Sequence, residues 1–270
     1  MLPDTTPVIA NINNKTVKIY PVFDVHIGAA EYMKKEFEAF VSYIAKTPEA
    51  YIVIGGDILN NAIKTSVSDI YSEKMMPGEA KDYAVKLLTP IADKILCGVG
   101  GNHEWRTGKD TDVDILYDIF CQLGISERYR ANVAILSVGI NYYTSRRTGF
   151  RKTFLVTHGS GGGATLGAGI NRQERFVRGF DGIDVFISGH THKPSVVPIS
   201  KVRYINTTRK IREETIWLVT ARSWLGFGGY GVRKLYTPVA HCGVEIIMSQ
   251  VHKTGDVCNG DLTIKFTEGG

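Results

Sequence analysis

The sequence predicts an α/β protein, and two observations predict it. Short apolar runs alternate with amphipathic segments over the first two-thirds of the chain. Five of those runs also end in Asp, Asn or His residues beside glycine. Val17–Phe23, Tyr51–Ile54, Lys94–Val99, Thr153–Thr157 and Val185–Ser188 are short and rich in Val, Ile or Phe, as buried strands are. Between them, Glu31–Lys46 places Phe37, Phe40, Val41 and Ile44 on one helical face. Ala80–Asp93 and Val113–Leu123 have the same pattern, and Gly169–Phe180 turns Ile170, Phe176 and Val177 inward. Val133–Ser137 and Asn141–Thr144, joined by Val138-Gly139-Ile140, predict a hairpin that adds a second sheet. In the last third Ser195–Ile199, Ile216–Thr220 and Val244–Met248 are strand-like, with no strong helix. Residues 193–270 are therefore expected to be the β-rich portion that completes the second sheet of a single 270-residue domain.

Composition narrows the class. With 43% hydrophobic and 22% charged residues, the chain is neither disordered, collagenous nor a coiled coil. No apolar run approaches the roughly 18 residues of a membrane helix, so no membrane partner is expected. Met1-Leu2-Pro3-Asp4 has neither the basic nor the apolar region of a signal peptide. Cys97, Cys121, Cys242 and Cys258 show no CxxC spacing, which argues against a disulfide framework or a thiolate zinc site. Reduced thiols and a cytoplasmic location are expected. Charge is uneven: residues 141–240 carry 16 Lys/Arg against 5 Asp/Glu. A basic middle suits an anionic partner, or merely solvates an outer face.

The chemistry sits where the strands end. The first runs into Asp24-Val25-His26-Ile27-Gly28, the second into Gly55-Gly56-Asp57, the third into Gly100-Gly101-Asn102-His103-Glu104. Later strands end in His158-Gly159 and in Gly189-His190-Thr191-His192. Ligands of open α/β sheets gather outside the carboxyl ends of strands. Five of the seven histidines lie in these clusters. In extended chain, residues i and i+2 point to one side, so Asp24 with His26, and His190 with His192, can each face one metal together. Imidazole, carboxylate and amide oxygen suit Mn, Fe, Zn or Ni.

The series Asp24-x-His26, Gly56-Asp57, Gly101-Asn102-His103-Glu104, His158 and Gly189-His190-x-His192 resembles the calcineurin-like metallophosphoesterases. The resemblance spans residues 24 to 192. It implies a four-layer αββα sandwich, two mixed sheets flanked by helices, with a dinuclear metal site at the strand C-terminal ends. It implies that Asp24, His26 and His192 hold one divalent ion, that Asn102, His158 and His190 hold the other, and that Asp57 bridges them. Manganese is the first expectation, with iron, zinc or nickel as alternatives. Two such ions activate water and neutralise phosphate oxygens during in-line displacement. The resemblance assigns His103 to the leaving-group oxygen as catalytic proton donor or charge stabiliser. Glu104 is either a supporting carboxylate behind the ligands or the N-terminal carboxylate of a turn or helix.

The substrate is less sharply written. Gly159–Gly163 is either a phosphate cradle or a flexible connection. Arg172 and Arg175, with Arg178, follow on a predicted helix and either flank an anionic substrate or form a solvated face. Arg146, Arg147, Arg151 and Lys152 make a second basic cluster. Ser223–Tyr230 interleaves aromatics with glycine, suited to stacking bases or to a core. Gly56-Asp57-Ile58-Leu59-Asn60-Asn61 lacks the arginine of the GDxVDRG pattern of Ser/Thr protein phosphatases. The chain looks closer to the DNA-repair exonuclease branch, departing from it at Glu104, where that branch has Asp, and in its shorter C-terminal part. The expected activity is a metal-dependent phosphodiesterase acting on DNA, RNA or a nucleotide. The alternatives are a phosphomonoesterase or cyclic-nucleotide phosphodiesterase, and a non-catalytic scaffold.

Overall fold

The computed structural model describes residues 6–64, 66, 70–141, 150–162, 165–228, 232, 237–254 and 257–268. The first half of the chain forms β1 (Val8–Ile12), β2 (Thr16–Val22), α1 (Lys34–Lys46), β3 (Ala50–Ile54), α2 (Pro77–Leu88), β4 (Ile95–Val99), α3 (Asn102–Thr111), α4 (Ile115–Gln122) and β5 (Tyr129–Arg130). The second half forms β6 (Val133–Ile140), β7 (Phe150–Thr157), α5 (Leu166–Val177), β8 (Val185–Ser188), β9 (Ser195–Ile205), β10 (Lys210–Thr220), β11 (Gly243–Thr254) and β12 (Val257–Thr267).

These strands build two six-stranded mixed sheets, ordered β1-β6-β7-β8-β10-β9 and β12-β11-β2-β3-β4-β5. In the second sheet β2, β3, β4 and β5 run parallel, while β11 is antiparallel to β2. In the first, β7, β8 and β10 run parallel. The C-terminal strands divide between the sheets, β9 and β10 joining one and β11 and β12 the other.

Period-two alternation explains the layers. Phe154 and Val156 of β7, Val185 and Ile187 of β8 and Val219 of β10 face inward. There they meet Val17 and Ile19 of β2, Val53 of β3 and Cys97 and Val99 of β4. The intervening Leu155, Phe186, Ile216 and Leu218 turn outward and pack with Val177 of α5. On the far side Tyr20, Val22, Ile52 and Ile54 pack against Phe37, Val41 and Ile44 of α1, Ala84 of α2 and Ile119 and Phe120 of α4. The result is two sheets face to face with helices on both outer surfaces.

One sequence expectation needs correction, and two alternatives left open are resolved. The strand from Val133 does not stop at Ser137 but runs through Val138-Gly139-Ile140. Its hairpin partner is Phe150–Thr157, paired antiparallel from Val133↔Thr157 to Ile140↔Phe150. Residues 142–144, assigned to the second hairpin strand, lie outside the described residues, as do Arg146 and Arg147. Asn102–Thr111 forms a helix, which puts Glu104 in a helix's first turn. Its first turn carries a legible signal: Glu104 Oε2 accepts the Gly101 N–H at 3.0 Å, the reach-back half of a capping box. Of the two readings of the aromatic segment, Trp224 takes the core one, with its ring 4.9 Å from Phe37 and 5.0 Å from Phe40.

Phe154 is fully buried between the sheets. Replacing Phe154 with alanine is expected to cost about 3–5 kcal/mol through lost transfer energy and a residual cavity. The midpoint of urea unfolding measures this; a loss below about 1 kcal/mol would contradict the assigned layering.

Candidate metal centre

The parallel strands of both sheets present their carboxyl ends on one side of the molecule. Asp24 and His26 follow β2, Asp57 follows β3, Asn102 opens the helix after β4, His158 follows β7, and His190 and His192 follow β8. The loops are laced together. His26 N–H donates to the Asp57 carbonyl at 2.9 Å, and Gly189 N–H to the His158 carbonyl at 2.9 Å. The sheets meet where His158 Nδ1 contacts the Gly55 carbonyl at 2.8 Å.

These residues do not lie in extended chain. Asp24, His26, Asp57, His190 and His192 all have φ between 50° and 66°, the left-handed region. Asp tolerates that region and His less readily; branched residues do so at greater cost. The turn directs each side chain off the strand axis and overturns the i, i+2 argument for one pair. His190 and His192 separate: ligand atoms of Asp24, His26 and His192 lie within 4.8 Å of one another, and those of Asp57, His158 and His190 form another such group. A third group joins His26, Asp57 and His103. Asp57 Oδ2 sits 3.3 Å from His158 Nε2, 3.7 Å from His103 Nε2 and 3.9 Å from His26 Nε2. Asn102 Oδ1 is 3.0 Å from His158 Nε2 and 2.8 Å from His190 Nδ1.

Two glycines make this packing possible. A Cβ on Gly56, whose φ is +84°, would lie 2.4 Å from the Gly101 nitrogen, so the loops after β3 and β4 touch backbone to backbone. A Cβ on Gly189 would lie 2.5 Å from Asp24 Oδ2, an oxygen that already accepts the His190 N–H at 2.8 Å.

Glu104 is fully buried and touches no histidine through a hydrogen bond among the described residues. It accepts from the backbone N–H groups of Asp57 at 2.8 Å, Leu59 at 3.0 Å and Gly101 at 3.0 Å. It therefore braces the loop carrying Asp57 and caps α3 at once. Burial and the neighbouring Asp57 carboxylate push its carboxyl up to about 7.

Three other contributors were not singled out in the sequence. Asn60 Nδ2 donates to Glu73 Oε1 at 2.6 Å, which turns its Oδ1 toward His26 Nδ1 at 3.1 Å. His26 Nδ1 therefore carries the proton and Nε2 the lone pair. Asn61 Nδ2 donates to the His103 carbonyl at 2.7 Å, and Ser223 Oγ to the Asp24 carbonyl at 3.0 Å. Asn60 and Asn61 directly follow the Gly-Asp motif; Ser223 gives no sequence signal.

The expected substrate arginines lie on α5. Arg172 donates to the carbonyls of Ser160 and Gly162 in the loop after His158, pinning it, and Arg175 is exposed on the same helix. Arg151 and Lys152 are also engaged elsewhere, Arg151 with Ser137 and Asn11, Lys152 with Asp184. Gly163, Gly229, Tyr230, Arg233 and Lys234 lie outside the described residues.

The donor set fits divalent ions. Asp24 Oδ1 and His26 Nε2 are buried 4.0 Å apart, and neither has a hydrogen-bond partner. Buried polar atoms without partners are rare unless something binds them. Burial alone would raise the Asp24 and Asp57 carboxyls, but the facing imidazoles hold both below the usual carboxylate range. Burial and the His103 ring bring His26 down to about 3, which keeps it neutral.

A family model for the calcineurin-like phosphoesterases matches residues 24–194, the segment that holds every one of these donors. The chain belongs to the calcineurin-like phosphoesterase family. Strands β9 to β12 of this phosphoesterase lie beyond the matched segment. No curated protein matches the chain. Among solved structures it is similar to Vps29 of Chaetomium thermophilum, at 10% identity and a TM-score of 0.40 over 95% of this chain and 100% of that one. No helix among the described residues of this phosphoesterase is long and apolar enough to cross a membrane.

Two outcomes follow for metal binding. Asn60→Ala removes the group that orients His26 and is expected to weaken metal binding about 10–100-fold without unfolding the protein. Chelator-competition titration with circular dichroism measures both; unchanged affinity would refute the orienting role. Burial opposes protonation of His158, but Asp57 outweighs it and pushes the imidazole up to about 10. Asp24 likewise raises His192 against the cost of burial. An ion must displace those protons, so metal affinity should climb as pH rises toward 10. Calorimetry in buffers of different ionisation enthalpy counts the protons, and no release at pH 7 would contradict this.

Proposed function

We propose that this phosphoesterase hydrolyses phosphodiester bonds of DNA, RNA or a nucleotide with a pair of divalent ions. The observation that carries the reading is the convergence of seven donors from five strand ends on one place. In this reading Asp24, His26 and His192 hold one ion, Asn102, His158 and His190 hold the other, and Asp57 lies between them. Manganese is the first candidate, with iron, zinc or nickel as alternatives. Bound there, such ions would lower the pKa of water and neutralise phosphate oxygens.

The chain's own residues supply the rest. Asn60 and the Gly55 carbonyl fix which nitrogens of His26 and His158 carry protons. His103 shares the approach to Asp57 but is directed by its own contact, Nδ1 to the Asn60 carbonyl at 2.6 Å. That leaves its Nε2 toward the cluster, where a leaving-group oxygen would stand. Diester substrates of nucleic-acid type are supported by the basic excess of residues 141–240. Free Cys97, Cys121 and Cys242 accord with a reducing, cytoplasmic setting.

The protein loaded with manganese should hydrolyse bis-p-nitrophenyl phosphate, and a chelator should abolish the reaction. Turnover of the p-nitrophenyl monoester alone would replace the diesterase reading with the phosphomonoesterase one. His103→Ala should lower kcat about 10²–10⁴-fold, the range of positioned acid catalysis, while bound metal stays constant. An unaffected rate would remove His103 from the reaction.

A further inference from the structure

Arg106 follows His103 by one turn of α3. The Asn60 carbonyl can only accept a hydrogen bond, so its 2.6 Å contact makes Nδ1 the protonated nitrogen of His103. In the neutral ring Nε2 then holds the lone pair. Arg106 Nη2 lies 3.0 Å from that Nε2 and donates to it, while Nη1 reaches the Asn60 carbonyl at 3.4 Å. The same Nε2 is 3.7 Å from Asp57 Oδ2, so the guanidinium stands beside the donor cluster.

The contact has a chemical consequence. An unprotonated imidazole nitrogen and an anionic phosphate oxygen are both acceptors and cannot bond to each other. The donor at this position is the Arg106 N–H. Guanidinium also matches phosphate better than any other side chain, with planar paired donors and a permanent charge. Resting on the phosphoesterase reading, we propose that Arg106 is a substrate-binding residue that takes a non-bridging oxygen of the phosphoester. As the ester enters, the N–H given to His103 passes to that oxygen, and His103 Nε2 is freed to take a proton from solvent that it can give to the leaving oxygen. This arginine is built into the site by the helix that also presents Asn102 and His103.

The test uses the metal-loaded full chain with Arg106→Gln and Arg106→Lys. Inorganic phosphate is titrated calorimetrically, and KM and kcat are measured on both p-nitrophenyl esters. Removing one charge-assisted hydrogen bond should weaken phosphate binding and raise KM about 10–100-fold in R106Q, with bound metal unchanged. R106K should recover part of that loss, because it restores the charge without the fork. Wild-type phosphate affinity in R106Q would overturn the proposal. So would a fall in kcat at unchanged KM and phosphate affinity, since Arg106 would then act only by positioning His103. If R106Q folds poorly by circular dichroism, R106K alone decides, and phosphate affinity equal to wild type overturns the proposal. A metal-loaded wild type inactive on both esters would sink the phosphoesterase reading instead. The phosphate titration would still report on Arg106 in that case.

Discussion

One buried carboxylate holds the centre in register. Glu104 has no cation to pair with among its hydrogen-bond partners; three backbone N–H groups from two loops converge on it. A buried charge without such bonds would be costly. The three donors and the Asp57 carboxylate pull in opposite directions, and burial adds to the latter, so its carboxyl rises to about 7. The loop after β3 and the start of α3 are thereby locked to each other. Asp57, Asn60, Asn102 and His103 all hang from those two segments. The His103 N–H closes the lock by donating to Asp57 Oδ1 at 2.8 Å.

The second constraint is the backbone of the donors themselves. Five of the nine non-glycine residues with positive φ among the described residues belong to the cluster. Each such conformation costs about 1–3 kcal/mol, and it persists only where the surroundings determine it. Here they do. The Asp24 loop is held by Gly56 below it and by Ser223 and Trp224 from the segment after β10. Trp224 in turn is fixed among Phe37, Phe40 and the Arg222 guanidinium, 4.3 Å above its ring. Ser223 and Trp224, from the segment that also invited a nucleic-acid reading, thus support the centre from behind.

What was legible in the sequence follows from this physics. Buried strands announce themselves by apolar runs, and the five that carry donors were placed to within about three residues. The donor types were legible because their chemistry is rare in clusters. Side-chain direction was not. A period-two argument holds only inside a strand, and the donors sit just past strand ends in left-handed turns, so His190 and His192 part company. The extent of helix α3 was hidden because its polar first turn, Asn102-His103-Glu104, carries no apolar stripe. Helical spacing placed Arg172 on α5 but could not show that its guanidinium holds the Ser160 and Gly162 carbonyls. Strands β1, β5 and β12 went unseen: β5 has two residues, and β1 and β12 carry polar residues at sheet edges.

Charge accounting links the centre to its substrate. Asp24 and Asp57 are the acidic side chains within the donor groups; the others are an amide and imidazoles, which bind an ion only in their neutral form. Two carboxylates set against two divalent ions leave the pocket with surplus positive charge, which a bound ion's own charge dominates. A phosphate anion is the complement of such a surplus. Thiolates would cancel it, and Cys-rich sets of that kind are the ones typical of structural zinc sites. The donor chemistry, rather than the fold that presents it, is therefore what makes this end of the sheets fit for phosphoester hydrolysis.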